Sequence, residues 1–246
     1  MPNKPVLVVR PLREEDAFLR LLDQAGIPFN YIPIMRIDPV AVDSDDFARA
    51  TAYIDELNQF EQVIFISANA AEIGLPMIAK RWPKIPKNTE FLAVGQQTAD
   101  IFSAFDYSVS YPQRQPNTEG LLQELAQLQD LTARSVLILR GGSGRQTLGD
   151  ELVRRGAQVT YAELYQRNID SKHLIEAQNF APQASCVVVH SGELLQAMGV
   201  PADKHIPLVV PSDRIAQLAQ EMGYQSVQVA QNALPSSMHK AVLQAL

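Results

Sequence analysis

Hydrophobic and polar positions alternate in short blocks along the whole chain. Continuous apolar runs such as Val136–Leu139 and Cys186–Val189 are typical of strands that are buried on both faces of a parallel sheet. Between such runs, residues 118–128 and 212–222 place apolar side chains on one face of a helix. Strands that alternate with helices predict an α/β fold. The ten predicted strands cover residues 5–10, 28–36, 62–66, 90–94, 107–111, 135–139, 157–166, 185–190, 206–210 and 225–230.

Two parts of the chain resemble each other. The run Val6–Arg10, followed by a helix and a second strand, recurs as Val136–Arg140 with the same sequel, at a constant offset of 130 residues. Segments 63–67 and 187–191 also resemble each other, at an offset of 124 residues. A repeat of this size predicts two similar domains, each built on a doubly wound parallel sheet.

The order of the repeated parts favours a discontinuous first domain. We expect residues 1–36 and 168–246 to form it, because its first two strands need the three strands that follow residue 180. Residues 38–165 hold five further strands and form the second domain. Pro33 and Pro39 favour this arrangement, since proline is excluded from central strands. A simple split near residue 130 is also compatible with the repeat.

In the discontinuous arrangement, segments 35–40 and 165–170 run side by side and form a two-strand hinge between the domains. A cleft between two hinged domains is a common ligand site. Tyr165 and Arg167 lie in this predicted hinge, and a cross-strand packing pair is the structural alternative to a functional role for them.

Composition narrows the function classes. The 246 residues are 46% hydrophobic and 20% charged, which is ordinary for a globular protein and too apolar for disorder. The net charge of −6 argues against the broad basic surface that nucleic-acid or anionic-membrane binding needs. No apolar run has the length of a signal-peptide core or of a membrane helix, which is about 20 residues, so we expect a cytoplasmic protein. The single cysteine, Cys186, predicts a buried structural thiol.

Motifs for metal, hydrolase and nucleotide chemistry are weak. The four histidines, at positions 173, 190, 205 and 239, lack metal-ligand spacing, and no Gly-x-Ser-x-Gly elbow surrounds Ser191. The segment Arg140–Arg145 follows a strand and precedes a helix, where glycines let backbone amides bind an anion. It lacks the lysine of a Walker A motif and the third glycine of the dinucleotide fingerprint. It predicts either an anion-binding turn, as a phosphate-handling transferase would use at Gly141–Gly144, or only a permissive turn.

Small polar residues follow many of the predicted strands. They are Ser67, Asn69, Thr98, Asn117, Ser191 and Ser212. Each alone is typical of a helix start. Together they place hydrogen-bond donors at the carboxyl edges of both sheets, where doubly wound folds bind ligands. Such edges can bind a polyanion without a basic patch.

An ordered set of segments resembles the uroporphyrinogen-III synthase family. No segment is specific by itself, and the order of the whole set carries the resemblance along the chain. The segments are Val6–Pro11, Phe65–Asn69, Ala93–Ala99, Asn117–Leu122, Leu137–Arg145, Tyr165–Arg167 and Pro211–Ala216.

The resemblance implies an enzyme, a cyclising lyase of tetrapyrrole biosynthesis. Members convert linear hydroxymethylbilane, a polycarboxylate, to uroporphyrinogen III with inversion of ring D, and they use no metal or cofactor. Their two α/β domains are joined by a two-strand ladder, and the first domain is discontinuous. The family tyrosine that assists loss of the substrate hydroxyl matches Tyr165, which we therefore expect to be catalytic. The expected substrate-binding residues are Arg10, Ser67, Asn69, Thr98, Asn117, Arg140, Gly141, Ser191 and Ser212.

This interpretation predicts a monomer that binds a small molecule and neither nucleic acid nor membrane. The rival hypothesis is a non-catalytic two-domain module that binds a small molecule without turnover.

Overall fold

The structure is a computed structural model that describes residues 4–12, 16–142 and 146–246. Its strands are β1 (Val6–Val9), β2 (Phe29–Tyr31), β3 (Met35–Pro39), β4 (Gln62–Phe65), β5 (Glu90–Ala93), β6 (Val109–Ser110), β7 (Ser135–Gly141), β8 (Gln158–Ile169), β9 (Val187–Val189), β10 (Leu208–Val210) and β11 (Val227–Val229). Its α-helices are α1 (Ala17–Gln24), α2 (Asp45–Asp55), α3 (Ala68–Arg81), α4 (Gln96–Ala99), α5 (Thr118–Glu124), α6 (Thr147–Arg154), α7 (Ser171–Phe180), α8 (Gly192–Met198), α9 (Asp213–Glu221) and α10 (Pro235–Ala245).

By their internal contacts the residues divide into two compact units. Unit 1 comprises Met1–Arg36 and Asn168–Leu246, and unit 2 comprises Ile37–Arg167. The chain passes from one unit to the other within β3 and again within β8. That each unit folds by itself stays a prediction.

The two sheets share one strand order. The first sheet has the order β11-β10-β9-β1-β2, and its neighbouring strands are parallel. The second has the order β6-β5-β4-β7-β8, parallel throughout, with β3 added next to β8. Counted from β1 and from β7, the two orders are the same, which confirms the predicted α/β class with two similar parallel sheets.

The repeat in the sequence corresponds to this shared order. β7 and β8 take the places of β1 and β2, and β4 to β6 take the places of β9 to β11. The strand–helix–strand pair that opens the fold therefore comes first in unit 1 and last in unit 2.

One predicted strand is two strands in the structure, so the prediction of a single strand over 28–36 is wrong. The run forms β2 and β3, which belong to different sheets. Pro33 lies between them, and because proline has no N–H to donate, it interrupts a ladder there. The predicted helix over 118–128 is also shorter, since α5 ends at Glu124 and a 3₁₀ turn, Ala126–Leu128, follows.

The central strands are buried on both faces, as their continuous apolar runs predict. In unit 2 one face carries an aromatic cluster in which Phe65, Phe91 and Phe102 pack edge to face, with ring centroids 5.0–5.8 Å apart. A second cluster, around Ile64 and Ile138, covers the opposite face. Burial on two sides fixes the strand ends, and with them the polar residues that follow. Within the described ranges, no helix is long and apolar enough to cross a membrane.

Candidate functional site

The carboxyl edge of the unit 2 sheet carries most of the predicted site residues. Ser67 follows β4 and caps α3, where its Oγ accepts the Ala70 N–H at 3.0 Å. Asn69 lies in the first turn of α3. Asn117 caps α5 by accepting the Gly120 N–H at 2.9 Å. Thr98 lies in α4 and is only 3% exposed, so a substrate reaches its side chain only if the surrounding residues move.

Tyr165 lies at the centre of a polar contact in this edge. Its hydroxyl is 3.0 Å from the Oγ of Ser67, and one guanidinium nitrogen of Arg167 donates to it at 3.2 Å. The Arg167 guanidinium also lies 5.5 Å from the centre of the Tyr165 ring, within cation–π range. The tyrosine itself is fully buried, at 0% exposure, in the aromatic cluster of unit 2. The structure therefore joins Tyr165 and Ser67, which are 98 residues apart in sequence.

Gly141 makes this contact possible. In the sheet order β4-β7-β8, the strand that carries Tyr165 is separated from the strand before Ser67 by β7, which ends at Gly141. Gly141 pairs with Tyr165 in the ladder, and a Cβ on Gly141 would lie 2.4 Å from a ring carbon of Tyr165. The phenol ring thus occupies the space of the missing side chain and reaches across β7 to Ser67. The glycine is required by this close approach.

Arg140, the residue before Gly141, is engaged within the protein. Its guanidinium donates to Glu163 Oε1 at 2.8 Å and lies 4.1 Å from the centre of the Tyr161 ring. Arg140 is 6% exposed. Its expected role in substrate binding stays a prediction. The remainder of the glycine-rich segment, Ser143 to Arg145, lies outside the described residues, and so does the predicted anion-binding turn that it would complete.

Unit 1 presents a comparable edge. Arg10 follows β1 and donates to Asp16 Oδ1 at 2.7 Å, while the same carboxylate oxygen accepts the Phe18 N–H at 2.8 Å and caps α1. Ser191 follows β9 and caps α8 by accepting the Leu194 N–H at 3.2 Å. Ser212 stands at the N-cap position of α9.

Neither the pairing of Arg140 with Glu163 nor the contact of Arg167 with the Tyr165 hydroxyl follows from the sequence pattern described above. A signal for the second contact is present, because Tyr165 and Arg167 are two positions apart on β8, and side chains at every second position of a strand point to the same face. Glu163 does not share that face, because the ladder shifts register between Arg140 and Gly141 and both Leu164 and Tyr165 pack in the aromatic cluster of unit 2.

The described residues offer no group of three or more histidine, cysteine, aspartate or glutamate side chains that could hold a metal ion. Cys186 is buried in unit 1, and burial raises the pKa of its thiol to about 12. A thiol in that environment is inert as a nucleophile, because the thiolate is the reactive form.

Comparison with known proteins gives one consistent result. Residues 5–240 match the family described as uroporphyrinogen-III synthase HemD. The uroporphyrinogen-III synthase of Escherichia coli (strain K12) is 31% identical, with 96% of this chain and 99% of the relative covered. The enzyme of the same name from Salmonella typhimurium is 30% identical over the same shares of the two chains.

Solved structures show the same fold at low sequence identity. A uroporphyrinogen III synthase from the extremely thermophilic bacterium Thermus thermophilus has a TM-score of 0.66 at 12% identity, with 98% of each chain covered. The Helicobacter pylori protein called uroporphyrinogen-III synthetase has a TM-score of 0.64 at 16% identity, with 99% of this chain and 100% of the other covered.

Proposed function

Because the chain belongs to the uroporphyrinogen-III synthase family, we propose that it closes linear hydroxymethylbilane to uroporphyrinogen III with inversion of ring D. The chain is thus an enzyme of tetrapyrrole biosynthesis, a cyclising lyase. The family match over residues 5–240 carries this conclusion. The rival hypothesis of a non-catalytic binding module is not favoured, since the relatives bear the name of an enzyme.

The chemistry begins with loss of the substrate hydroxyl as water, which leaves an azafulvene cation at one end of the bilane. The substituted carbon of ring D attacks this cation, and the resulting spiro intermediate fragments and recloses with ring D inverted. Free bilane closes without inversion, so the enzyme must above all hold the chain in the productive conformation. Orientation can supply about 7–11 kcal/mol of a barrier, whereas one general acid contributes about 10²–10⁴-fold in rate.

We assign the binding of substrate carboxylates to polar groups at the carboxyl edge of each sheet. In unit 2 these are Ser67, Asn69, Thr98, Asn117, Arg140 and Gly141, and in unit 1 they are Arg10, Ser191 and Ser212. Hydroxyl, amide and guanidinium donors spread over two edges suit a ligand whose charges are spread over a long chain better than one dense basic cluster would. This view agrees with the net charge of −6.

We assign the proton for the departing hydroxyl to Tyr165. Its support is the contact with Ser67 and Arg167 beside Gly141, the last residue of β7. A phenol is a hydrogen-bond donor, and the adjacent guanidinium stabilises the negative charge that the oxygen gains when the proton leaves.

The reaction expels water and moves no electrons between substrate and protein, so the proposal includes turnover without a bound metal or cofactor. It also includes a cytoplasmic monomer. Activity after exhaustive chelation and dialysis tests the first point, and sedimentation of the active protein tests the monomeric state.

The decisive experiment supplies hydroxymethylbilane to the purified protein and separates the isomers that form. We expect isomer III, while a control without protein gives the uninverted isomer I. Isomer I alone at the uncatalysed rate would refute the proposed function. Heat protection by a nucleotide, with no isomer III, would instead favour a phosphate-handling protein.

A further inference from the structure

Resting on the proposed function, we propose that Tyr165 delivers its proton through Ser67, and that the Ser67 hydroxyl is the group that touches the departing hydroxyl of the substrate. Tyr165 is then a positioning residue and proton source, and Ser67 is the catalytic residue, which contacts the departing hydroxyl in place of a substrate carboxylate.

Ser67 is more accessible than Tyr165. Tyr165 is 0% exposed and packs in the aromatic cluster of unit 2, while Ser67 at the start of α3 is half-buried. A substrate that approaches the carboxyl edge therefore meets the serine hydroxyl before the phenol. Direct donation by Tyr165 would need the ring to leave a cluster that also contains Phe65 and Leu164.

The hydrogens and lone pairs of the two hydroxyls indicate which of them donates. The Tyr165 oxygen accepts from Arg167, and the Ser67 oxygen accepts from the Ala70 N–H. Two hydroxyl hydrogens remain, and one of them bridges the 3.0 Å gap between the two oxygens. If Ser67 donated across the gap, the phenol hydrogen would have no acceptor among the described residues in a buried apolar cluster. If Tyr165 donates, the remaining hydrogen belongs to Ser67, at the sheet edge.

The two units share the serine and differ at the position of the tyrosine. Ser191 in unit 1 occupies the place of Ser67, at the offset of 124 residues, and it caps its helix in the same way. The place of Tyr165 is taken there by Met35, at the offset of 130 residues, and the bridge between Pro11 and Met35 repeats the pair formed by Gly141 and Tyr165. The serine is thus a shared cap, and the phenol behind it is found in unit 2.

The C–O bond of the hydroxymethyl group breaks, and the departing oxygen takes the proton of Ser67 Oγ to leave as water. Ser67 Oγ takes the proton of the Tyr165 hydroxyl, and the phenolate remains beside the Arg167 guanidinium. The substituted carbon of ring D that attacks first has no hydrogen to lose. After the spiro intermediate fragments, the unsubstituted carbon of ring D forms the closing bond and releases its proton, which restores the phenol.

The test measures single-turnover rates of water loss and the isomer formed for Ser67→Ala, Tyr165→Phe and the double variant. We expect both single variants to slow by similar factors, within about 10²–10⁴-fold, and the double variant to slow no further than the slower single one. Two groups that act in series serve the same proton transfer, so removal of the second group after the first lowers the rate no further. Multiplied losses in the double variant would overturn the relay. So would a Ser67→Ala protein that changes only KM while Tyr165→Phe changes kcat.

Two substitutions at the same position separate a relay from helix capping. Asparagine caps a helix as well as serine does, but its amide cannot pass a proton on, so Ser67→Asn should be as slow as Ser67→Ala. Ser67→Thr keeps the hydroxyl and should recover most of the rate. Full activity of Ser67→Asn, with normal folding by circular dichroism, would overturn the proposal.

Ser44 provides a matched control. It caps α2 in the same unit, accepts the Phe47 N–H at 3.2 Å and lies outside the proposed site. Ser44→Ala should lower thermal stability as cap removal does and leave the rate unchanged. A rate loss in Ser44→Ala equal to that in Ser67→Ala would make the Ser67 effect structural.

A solvent isotope measurement gives a readout that a structural role would not change. With two protons in motion, the rate plotted against the deuterium fraction of the solvent should curve, and Tyr165→Phe should give a straight line. A straight or flat plot for the unsubstituted protein would overturn the relay. Since the unsubstituted protein forms isomer III in any of these outcomes, failure of the relay is distinguishable from failure of the proposed function.

Discussion

The two units share a scaffold and differ in chemistry. Both have the same strand order, and both place a capping serine after the third strand in that order, Ser191 in unit 1 and Ser67 in unit 2. They differ at the carboxyl ends of the equivalent strands β1 and β7: a proline and a methionine are bridged in unit 1, and a glycine and a tyrosine are paired in unit 2. A repeated fold thus supplies equivalent positions, and single residues decide which copy carries the phenol.

The two equivalent arginines show the same pattern. Arg10 and Arg140 are equivalent at the offset of 130 residues, and each is paired with a carboxylate. The carboxylate of Asp16 precedes a helix in unit 1, whereas that of Glu163 lies on a strand in unit 2. The arginine is common to both copies of the repeat, whereas its carboxylate partner lies at a different place in each copy.

The largest effect expected from this comparison concerns folding. Residues 37–167 expressed alone should unfold cooperatively, because they hold β4 to β7 and most of β8. Residues 1–130 should not, because they lack β7, the neighbour of β4, and β9, the neighbour of β1. Urea titration of both fragments, followed by circular dichroism, checks this. A folded 1–130 fragment beside an insoluble 37–167 fragment would favour the simple split of the chain.

A second prediction concerns the close approach in unit 2, where both stability and turnover should change. Gly141→Ala should destabilise the protein by about 1–3 kcal/mol, as overpacking does, and should slow turnover because the Tyr165 ring must move. Gly142→Ala is the matched control, since its Cβ would meet the mobile end of the Glu163 side chain at 3.3 Å. Urea unfolding and isomer III formation measure both variants. Equal stability and activity of the two would contradict the role given to Gly141.

These features differ in how far the sequence predicts them. The strands and the repeat follow from apolar runs, because burial on both faces leaves a continuous hydrophobic pattern. The same pattern could not show that 28–36 forms two strands in different sheets, since that depends on which edge each half meets. Pro33 is the local signal for the break between the two strands.

The site shows a similar limit. Ser67 and Tyr165 were each predicted from the end of a strand and from family resemblance, but their contact was not. This contact depends on β7, which lies between the two residues and ends at Gly141, a residue without a side chain. The spacing of apolar residues along the chain does not indicate where such a space opens. The carboxylate partners of Arg10 and Arg140 also escaped prediction, because pairing across a strand or loop follows from register and not from composition.

The arginine pairs predict a difference in stability between the units. The Asp16 side chain is 3% exposed, so Arg10→Met removes a partner of a buried charge and should cost about 3–5 kcal/mol. Glu163 is 30% exposed and stays partly solvated, so Arg140→Met should cost about 1–3 kcal/mol. Urea unfolding gives the order of the two costs, and the reverse order would contradict this account. A rise in KM for either variant, at unchanged kcat, would support its proposed contact with a substrate carboxylate.

The smallest effect concerns two carboxylates that hold backbone amides, one in each unit. Glu124 accepts the N–H groups of residues 113, 114 and 115 at 2.9–3.0 Å, and these hydrogen bonds, that of Arg114 first, lower the pKa of its carboxyl from 4.5. Asp170 caps α7 by accepting the N–H groups of His173 and Lys172, and these bonds, that of His173 first, lower the pKa of its carboxyl from 3.8.

Both carboxyl groups have a lower pKa in the folded protein than in the unfolded chain. Glu124 therefore stabilises the fold above pH 4.5 and Asp170 above pH 3.8. Each contribution is lost as the pH falls further. Glu124→Gln should therefore lower Tm at pH 7 and reduce the fall of Tm on acidification. Asp170→Asn should do the same to a smaller degree, since its carboxylate accepts two backbone N–H groups where Glu124 accepts three. Thermal unfolding at pH 7 and at pH 3.5 measures both. If Glu124→Gln kept the acid sensitivity of the unsubstituted protein, the segment before α5 would be held by other contacts, and Asn117 would not depend on Glu124 for its place at the edge of unit 2.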